Sequence, residues 1–413
     1  MVSAGNVSRS NVNKAMNMQT KAVHAGDRKR NGSNGSWVPV TTPIHTATSY
    51  FYNDLADLDR VFGKEMPGQS YARYSNPTND ALEELCAALE GGAGALACSS
   101  GMAALHMAVN TALLDRRRVV VAAKLLYGAT LNMMVKAFEP AGVEVHFADF
   151  DDTSAVAAAI EEHRPGAILM ESIANPLLRV PALDHIGALA KAKDIPLIVD
   201  NTFATPLINR PLEHGASIVV HSLTKYLSGH GDVLGGVVIA NEEHYGPLRD
   251  ISRMLGLTLG PFESYLAMRG IKTFPLRMER QCANAQAVAT WLASHPCIDR
   301  VYFPGDPNHP DAANISRLFA PGLYGAMVSF EVKGAAREQI FNVMNALRMV
   351  VPATSLGDVH SIILYPAMAS HRDLAPKHRA RLGIQDNLLR LSVGIEDPAD
   401  ITADLDQALR CAC

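Results

Sequence analysis

The sequence predicts an α/β protein with a mainly parallel central sheet, helices on both faces, and a smaller C-terminal α+β domain. Three observations carry this. Short, almost wholly apolar runs recur through the middle of the chain, each bounded by turn residues, as strands covered on both faces should be. Helix-length amphipathic stretches separate them, and such alternation argues for parallel pairing. After about Gly270 the alternation gives way to a mixed pattern.

Taken in order, residues 1 to about 18 read as a polar tail rich in Asn and Ser. A helix is predicted from Asn79 to Glu90, capped by Thr78 or Asn79, with Leu82, Leu85 and Leu89 on one face and Gly91-Gly92 as its stop. A strand begins near Leu96, and a helix-like stretch runs from Met102 to Leu114. Strands are expected at Val119–Ala123, Val143–Phe147, Ala167–Glu171, Leu197–Asp200 and Ile218–His221. A helix from Ala182 to Lys193 places Leu183, Ile186, Leu189 and Ala190 on one face. The last unit opens with a long helix from Thr273 to Ser294 and continues through a segment with Pro304, Pro307 and Pro310. Strand-like runs follow at Met327–Val332 and Leu389–Val393. The expected division is a tail and arm over 1–66, an α/β domain over 67–270 and an α+β domain over 271–413.

With 413 residues the chain is long enough for two or three domains and a large core. A hydrophobic content of 48% with 19% charged residues marks a globular composition. The net charge of −4, from 37 basic against 41 acidic residues, gives no reason to expect nucleic acid or an anionic membrane. No apolar run reaches the roughly 18 residues of a membrane helix. The cysteines at 86, 98, 282, 297, 411 and 413 form no C-x-x-C pair, and a chain of this size needs no disulfide staples. A cytoplasmic location is expected.

Three tempting motifs fail on context. Gly92-Ala-Gly94-Ala-Leu-Ala97 matches a loose dinucleotide pattern, but a helix precedes it and a strand follows, the reverse of what that pattern needs. Ser222-Leu-Thr-Lys225 matches a serine acyl-transfer motif without its companion elements. The 15 histidines include no H-E-x-x-H and no close Cys/His cluster, so no metal is expected.

A different set of residues converges. In open α/β sheets ligands bind beyond the carboxyl ends of the strands. Asp200 ends one strand, and Glu171 ends another just before Asn175. His221-Ser222 ends a third and runs into Thr224 and Lys225. Ser99-Ser100-Gly101 opens a helix. Free N–H groups at Ser100-Gly101-Met102 suit a phosphate, and the hydroxyls of Ser222 and Thr224 stand beside them. Lys225 suits a Schiff base if burial lowers its pKa. Asp200 suits a pyridinium nitrogen, and Tyr127 suits a ring face. Singly, each residue reads as readily as a cap, a turn or a solvated side chain. Together, at successive strand ends, they describe a site.

At this point the chain resembles the pyridoxal-phosphate (PLP) enzymes of cysteine and methionine metabolism. The resemblance runs from about Lys21 into the C-terminal region. It rests on Thr20-Lys-Ala-Val-His-Ala-Gly26, Tyr71-Ala-Arg73-Tyr-Ser-Asn-Pro-Thr78, Ser99-Ser-Gly-Met-Ala103, Glu171-Ser-Ile-Ala-Asn-Pro176, Val199-Asp-Asn-Thr-Phe203, His221-Ser-Leu-Thr-Lys-Tyr226, Ser355-Leu-Gly357 and Arg390-Leu-Ser-Val-Gly-Ile-Glu396. It implies PLP-dependent fold type I, with pyridoxal 5'-phosphate held as a Schiff base by Lys225 and paired at the ring nitrogen with Asp200. It also implies a phosphate site at Ser100, Gly101, Met102, Ser222 and Thr224, with Tyr71 and Arg73 reaching in from a neighbouring subunit. Tyr127 would stack on the ring and donate a proton. Arg390 would grip the substrate carboxylate, with Ser355 and Asn175 orienting the ligands. The implied assembly is a homotetramer of dimers that share active sites, acting on a small amino acid.

The implied reactions are γ-elimination or γ-replacement on a sulfur amino acid or homoserine derivative. Relatives that handle cystathionine usually carry an acid before the tyrosine of Tyr-x-Arg and a Glu before the Ser-Leu-Gly serine; here Ser70 and Thr354 stand there. A methionine γ-lyase-like pocket is therefore the leading expectation, ahead of cystathionine γ-synthase or another O-acylhomoserine thiol transferase, and of cystathionine γ-lyase. Departures remain. Ala129 replaces a common Cys, Ile173 a common Pro, and Asp358-Val-His360 a commoner Gly-x-Glu. A non-catalytic PLP-binding protein is disfavoured because Lys225, Tyr127 and Arg390 are all present.

Overall fold

Seven strands form the central sheet of this computed structural model, which describes residues 16–28, 38–369, 372, 379 and 383–412. Most of the expected tail lies outside the described residues. The strands are β1 (Gly94–Cys98), β2 (Val119–Ala123), β3 (Glu144–Ala148), β4 (Ala167–Glu171), β5 (Leu197–Asp200), β6 (Ile218–Ser222) and β7 (Gly236–Ala240). Their order is β1-β7-β6-β5-β4-β2-β3. From β3 to β6 every pairing is parallel, while β7 runs antiparallel to both β6 and β1. The chain places β3 on one side of β2 and then β4, β5 and β6 on the other. Such a reversal opens a crevice beyond the strand carboxyl ends.

Continuous apolar runs explain why β2, β4 and β6 are buried along almost their whole length. β3 departs from the expectation of cover on both faces: it is an edge strand, and its Glu144 and Phe147 are exposed. β7 is not among the strands expected from the sequence, since Gly235 and Gly236 at its start are residues that loops favour. Gly236 instead lets the strand pass against the Ser100 carbonyl, which a Cβ there would approach to 2.2 Å. The first long helix, Pro77–Glu90, starts earlier than expected. Asn76 caps it by accepting from the Thr78 N–H at 2.9 Å, and Pro77 suits the first helical position. Gly91 ends it at φ +77°, a left-handed cap that glycine adopts without strain.

A second sheet contains β8 (Ile298–Tyr302), β9 (Met327–Val332), β10 (Val351–Pro352), β11 (Ile362–Leu364) and β12 (Leu388–Ser392). Its order is β10-β11-β12-β9-β8, parallel only between β10 and β11. The helix Phe274–Ser294 packs against β8 and β9. Among the described residues no helix is long and apolar enough to cross a membrane. Cys86, Cys98 and Cys282 are buried free thiols. Burial pushes their pKa values up, that of Cys282 to about 12, so they are poor nucleophiles. Cys297 is disulfide-bonded, against the expectation that no disulfide is needed.

Candidate active site

Beyond the carboxyl ends of β2, β4, β5 and β6 lies a cavity of about 450 Å³. Ser100, Gly101, Met102, Tyr127, Asn175, Asp200, Ser222, Thr224, Lys225, Ser355 and Arg390 all line it. The structure thus brings together residues up to 290 positions apart in sequence.

One corner is built by the helix Gly101–Ala112. Ser100 caps it, its Oγ accepting from the Ala103 N–H at 3.1 Å. The first N–H groups of any helix lack an intrahelical acceptor, and Gly101 and Met102, which open this one, both line the cavity. Residue 101 must be small, since a Cβ there would sit 2.9 Å from the Ser222 Cβ. The Ser222 N–H donates to Thr202 Oγ1 at 2.9 Å. Thr224 Oγ1 accepts from the Gly235 N–H at 3.1 Å and lies 3.2 Å from the Gly235 carbonyl. That pairing pins the loop carrying Lys225.

Lys225 Nζ donates to Ser355 Oγ at 2.8 Å. Burial, then the Arg390 charge, lower its pKa to about 8. Two features hold this contact. Ser355 sits at φ +126°, a region that non-glycine residues occupy only under strain. Arg277 donates to the Tyr226, Leu227 and Gly270 carbonyls at 2.9, 3.0 and 2.9 Å, stitching down the segment after the lysine.

Asp200 Oδ1 accepts from the Thr202 N–H at 3.0 Å. Burial raises its pKa, opposed by the Thr202 bonds and His221. Arg390, on β12, crosses from the second sheet. Nη1 donates to Asn175 Oδ1 at 2.9 Å and Nη2 to the Ser355 carbonyl at 3.1 Å. Its Nε is buried without a hydrogen-bond acceptor, and burial lowers the guanidinium pKa to about 10. Tyr127 stands at the rim, nearly half exposed.

Tyr71 and Arg73 do not line this cavity. The Arg73 guanidinium lies 5.5 and 4.8 Å from the Tyr71 and Tyr74 ring centroids and donates to the Arg253 carbonyl. His360 is exposed, with its ring 3.2 Å from Asp358 Oδ1. Sequence reasoning noted Glu171 as a strand-end acid but gave it no role, and it missed Thr202. Glu171 lines the cavity, its Oε1 accepting from the Tyr127 N–H at 2.6 Å and its Oε2 from the Asn175 N–H at 3.2 Å. An acid closing an otherwise apolar strand was the available signal.

These residues fit pyridoxal phosphate: a helix start for its phosphate, a buried acid for its ring nitrogen, and a lysine with lowered pKa for its aldehyde. The Arg390 N–H groups that Asn175 and Ser355 leave free fit a ligand carboxylate. The model of the Cys/Met metabolism PLP-dependent enzymes matches residues 19–410. An L-methionine gamma-lyase of Fusobacterium nucleatum is 40% identical over 96% of this chain and 98% of its own. Cystathionine gamma synthase from Xanthomonas oryzae has a similar structure, with a TM-score of 0.87, 35% identity, and 96% and 98% coverage of the two chains. A putative O-acetylhomoserine (thiol)-lyase from Campylobacter jejuni matches with a TM-score of 0.86 at 29% identity, over 96% of this chain and all of its own. That structure carries N'-pyridoxyl-lysine-5'-monophosphate.

Proposed function

The chain belongs to the Cys/Met metabolism PLP-dependent enzymes, and on that premise we propose that it is a γ-lyase of L-methionine, releasing 2-oxobutanoate, ammonia and methanethiol. The side wall of the cavity carries this reading. Ile173, Leu234, Thr354, Leu356, Leu364 and Ala369 present apolar or neutral groups there. Among the described lining residues the acids are Glu171 and Asp200, and both already accept backbone N–H bonds at strand ends. A thioether suits such a wall, whereas a distal ammonium lacks a carboxylate partner and would be costly to bury. Likeness to a protein named L-methionine gamma-lyase supports the same reading.

Pyridoxal phosphate, when bound, supplies an electron sink beside the substrate Cα. Gly101 and Met102, with Ser100, Ser222 and Thr224, would hold its phosphate, and Tyr71 and Arg73 would reach that phosphate from a neighbouring subunit of a homotetramer. Asp200 would accept from the ring nitrogen and keep it protonated. Lys225 anchors the cofactor. Its amine, with a pKa that burial and the Arg390 charge lower to about 8, would take a proton from the substrate Cα and return it elsewhere. Tyr127 covers the ring face and hands a proton to the departing sulfur. Arg390 receives the substrate carboxylate on the guanidinium N–H groups that Asn175 and Ser355 leave free, and those two residues steady it. One water is consumed overall, in hydrolysing the product imine to 2-oxobutanoate and ammonia.

A second reading, γ-replacement on an O-acylhomoserine, is favoured by the likeness to a cystathionine gamma synthase structure. Release of 2-oxobutanoate separates the two, compared for L-methionine, O-acetyl-L-homoserine, O-succinyl-L-homoserine and L-cystathionine, each with and without L-cysteine. The lyase releases it from methionine whether or not cysteine is present. Inertness toward methionine, with cysteine diverting an O-acylhomoserine into cystathionine, would establish the replacement reading instead.

A further inference from the structure

We propose that Glu171 is a positioning residue that holds the backbone of Tyr127 and of Asn175 in one frame, and through Asn175 aims the Arg390 guanidinium. This deepens the proposed function, because it rests on assigning Arg390 to the substrate carboxylate.

Glu171 closes β4 just past the last β2–β4 pair, Ala122 with Leu169, and its side chain is buried. Its two oxygens serve two separate segments. Oε1 accepts from the Tyr127 N–H at 2.6 Å, in the turn that leaves β2. Oε2 accepts from the Asn175 N–H at 3.2 Å, in the turn that leaves β4. Asn175 Oδ1 in turn accepts from Arg390 Nη1 at 2.9 Å, and the Ser355 carbonyl accepts from Nη2 at 3.1 Å. Ser355 Oγ accepts from Lys225 Nζ at 2.8 Å. One run of contacts therefore joins the ring-covering tyrosine to the carboxylate fork and on to the lysine, with Glu171 as the link between the first two.

The chemistry of the link selects a carboxylate. Both of its partners are donors, so both of its termini must accept. Glutamine offers one acceptor and one donor, and its NH₂ would face a backbone N–H. The position is also an expensive one for charge. Burial and the neighbouring Asp200, paired with Glu171 in register across β4 and β5, raise its pKa to about 8, so the link rests on the two oxygens each facing a backbone N–H rather than on full ionisation. The two backbone donors and the Arg390 charge oppose that rise. A buried carboxylate between two turns costs stability that an apolar residue would not. What it supplies is a fixed distance between two segments that no hydrogen bond joins directly among the described residues.

The test uses the cofactor-loaded enzyme and two readouts other than turnover. The first is calorimetric binding of 4-(methylthio)butanoate, which carries the carboxylate and thioether of methionine but no amino group to react. Glu171→Gln and Asn175→Ala should each weaken binding about tenfold, the equivalent of one hydrogen bond. The double variant should be no weaker than either alone, because the two act in series. Wild-type affinity in Glu171→Gln, or effects that multiply in the double variant, would overturn the proposal. Glu171→Asp keeps two accepting oxygens on a shorter arm and should recover part of the affinity, which also answers the case where the Gln variant folds poorly. The second readout is backbone hydrogen exchange over 124–131 and 172–178. It should quicken in both segments of Glu171→Gln, and unchanged exchange in both would overturn the proposal. If the wild type fails to bind the thioether acid, the carboxylate reading of Arg390 falls, and hydrogen exchange still decides the role of Glu171.

Discussion

Arg390 offers the sharpest test of the proposed chemistry. A guanidinium has five N–H donors. The structure commits one on Nη1 to Asn175 and one on Nη2 to Ser355, and leaves Nε buried without an acceptor. A buried donor without a partner costs about 1–3 kcal/mol. The remaining Nη N–H groups are the donors a substrate carboxylate would take. Arg390→Met, similar in bulk and uncharged, removes the fork. A hydrogen bond to a charged group contributes about 1.5–3 kcal/mol, so KM for the amino acid should rise by about 100-fold. The fold should hold, because a buried guanidinium whose pKa is pushed down to about 10 is itself costly. The Asn175 and Ser355 acceptors lose partners in exchange. Steady-state release of 2-oxo acid over a range of methionine concentrations gives KM and kcat separately, and thermal melting checks the fold. A folded Met variant whose KM stays within about threefold of wild type would refute the carboxylate fork.

Three further outcomes follow from the same site. Burial lowers the Lys225 pKa to about 8 from its ordinary 10.5, so between those pH values the unfolded chain binds the extra proton and this group's contribution to stability rises with pH. The cofactor-free wild type should therefore gain stability across that window relative to Lys225→Met, and parallel melting curves for the two would contradict the burial. Arg73→Ala and Lys225→Ala should each be inactive alone, yet mixed oligomers of the two should regain activity if Arg73 serves a neighbouring subunit; no recovery on co-refolding would place Arg73 elsewhere. Thr354→Glu adds an acid to the neutral wall and should raise kcat/KM for cystathionine relative to methionine, measured by 2-oxobutanoate release, whereas an unchanged ratio would detach residue 354 from substrate choice.

The parallel strands were legible because double cover writes itself as an unbroken apolar run, as in Val119–Ala123 and Ala167–Glu171. β7 was not, although its run is as apolar, because Gly235 and Gly236 at its start are also what a loop would contain. Asp200, Ser222 and Lys225 could be found from local context, since each stands at a strand end. Arg390 could not: its partners Asn175 and Ser355 lie 215 and 35 residues away in sequence, and only the family resemblance singled it out. Glu171 was visible as a buried-strand acid, yet its partners are backbone N–H groups, which side-chain patterns do not reveal.

The division of labour between the two sheets explains why the family was easier to read than the substrate. On the proposed assignment, the groups that hold the cofactor within this chain come from the first sheet's carboxyl edge: Ser100 to Met102, Tyr127, Asp200, and Ser222 to Lys225. They meet a fixed chemical object, and they sit in contiguous motifs whose spacing the sheet geometry sets. Much of the wall facing the substrate side chain, with Thr354, Leu356, Leu364 and Ala369, arrives from the segment between β10 and β12. There a single exchange of a neutral for a charged side chain alters what can be buried without moving any strand. Reaction choice within one cofactor chemistry should therefore change by substitution in 354–369 while the first sheet stays as it is. Exchanging that segment alone with a cystathionine-handling relative should move substrate preference and leave cofactor affinity unaltered. A loss of cofactor affinity in such a chimera would show that the second sheet also holds the cofactor, and that the two tasks are not separable.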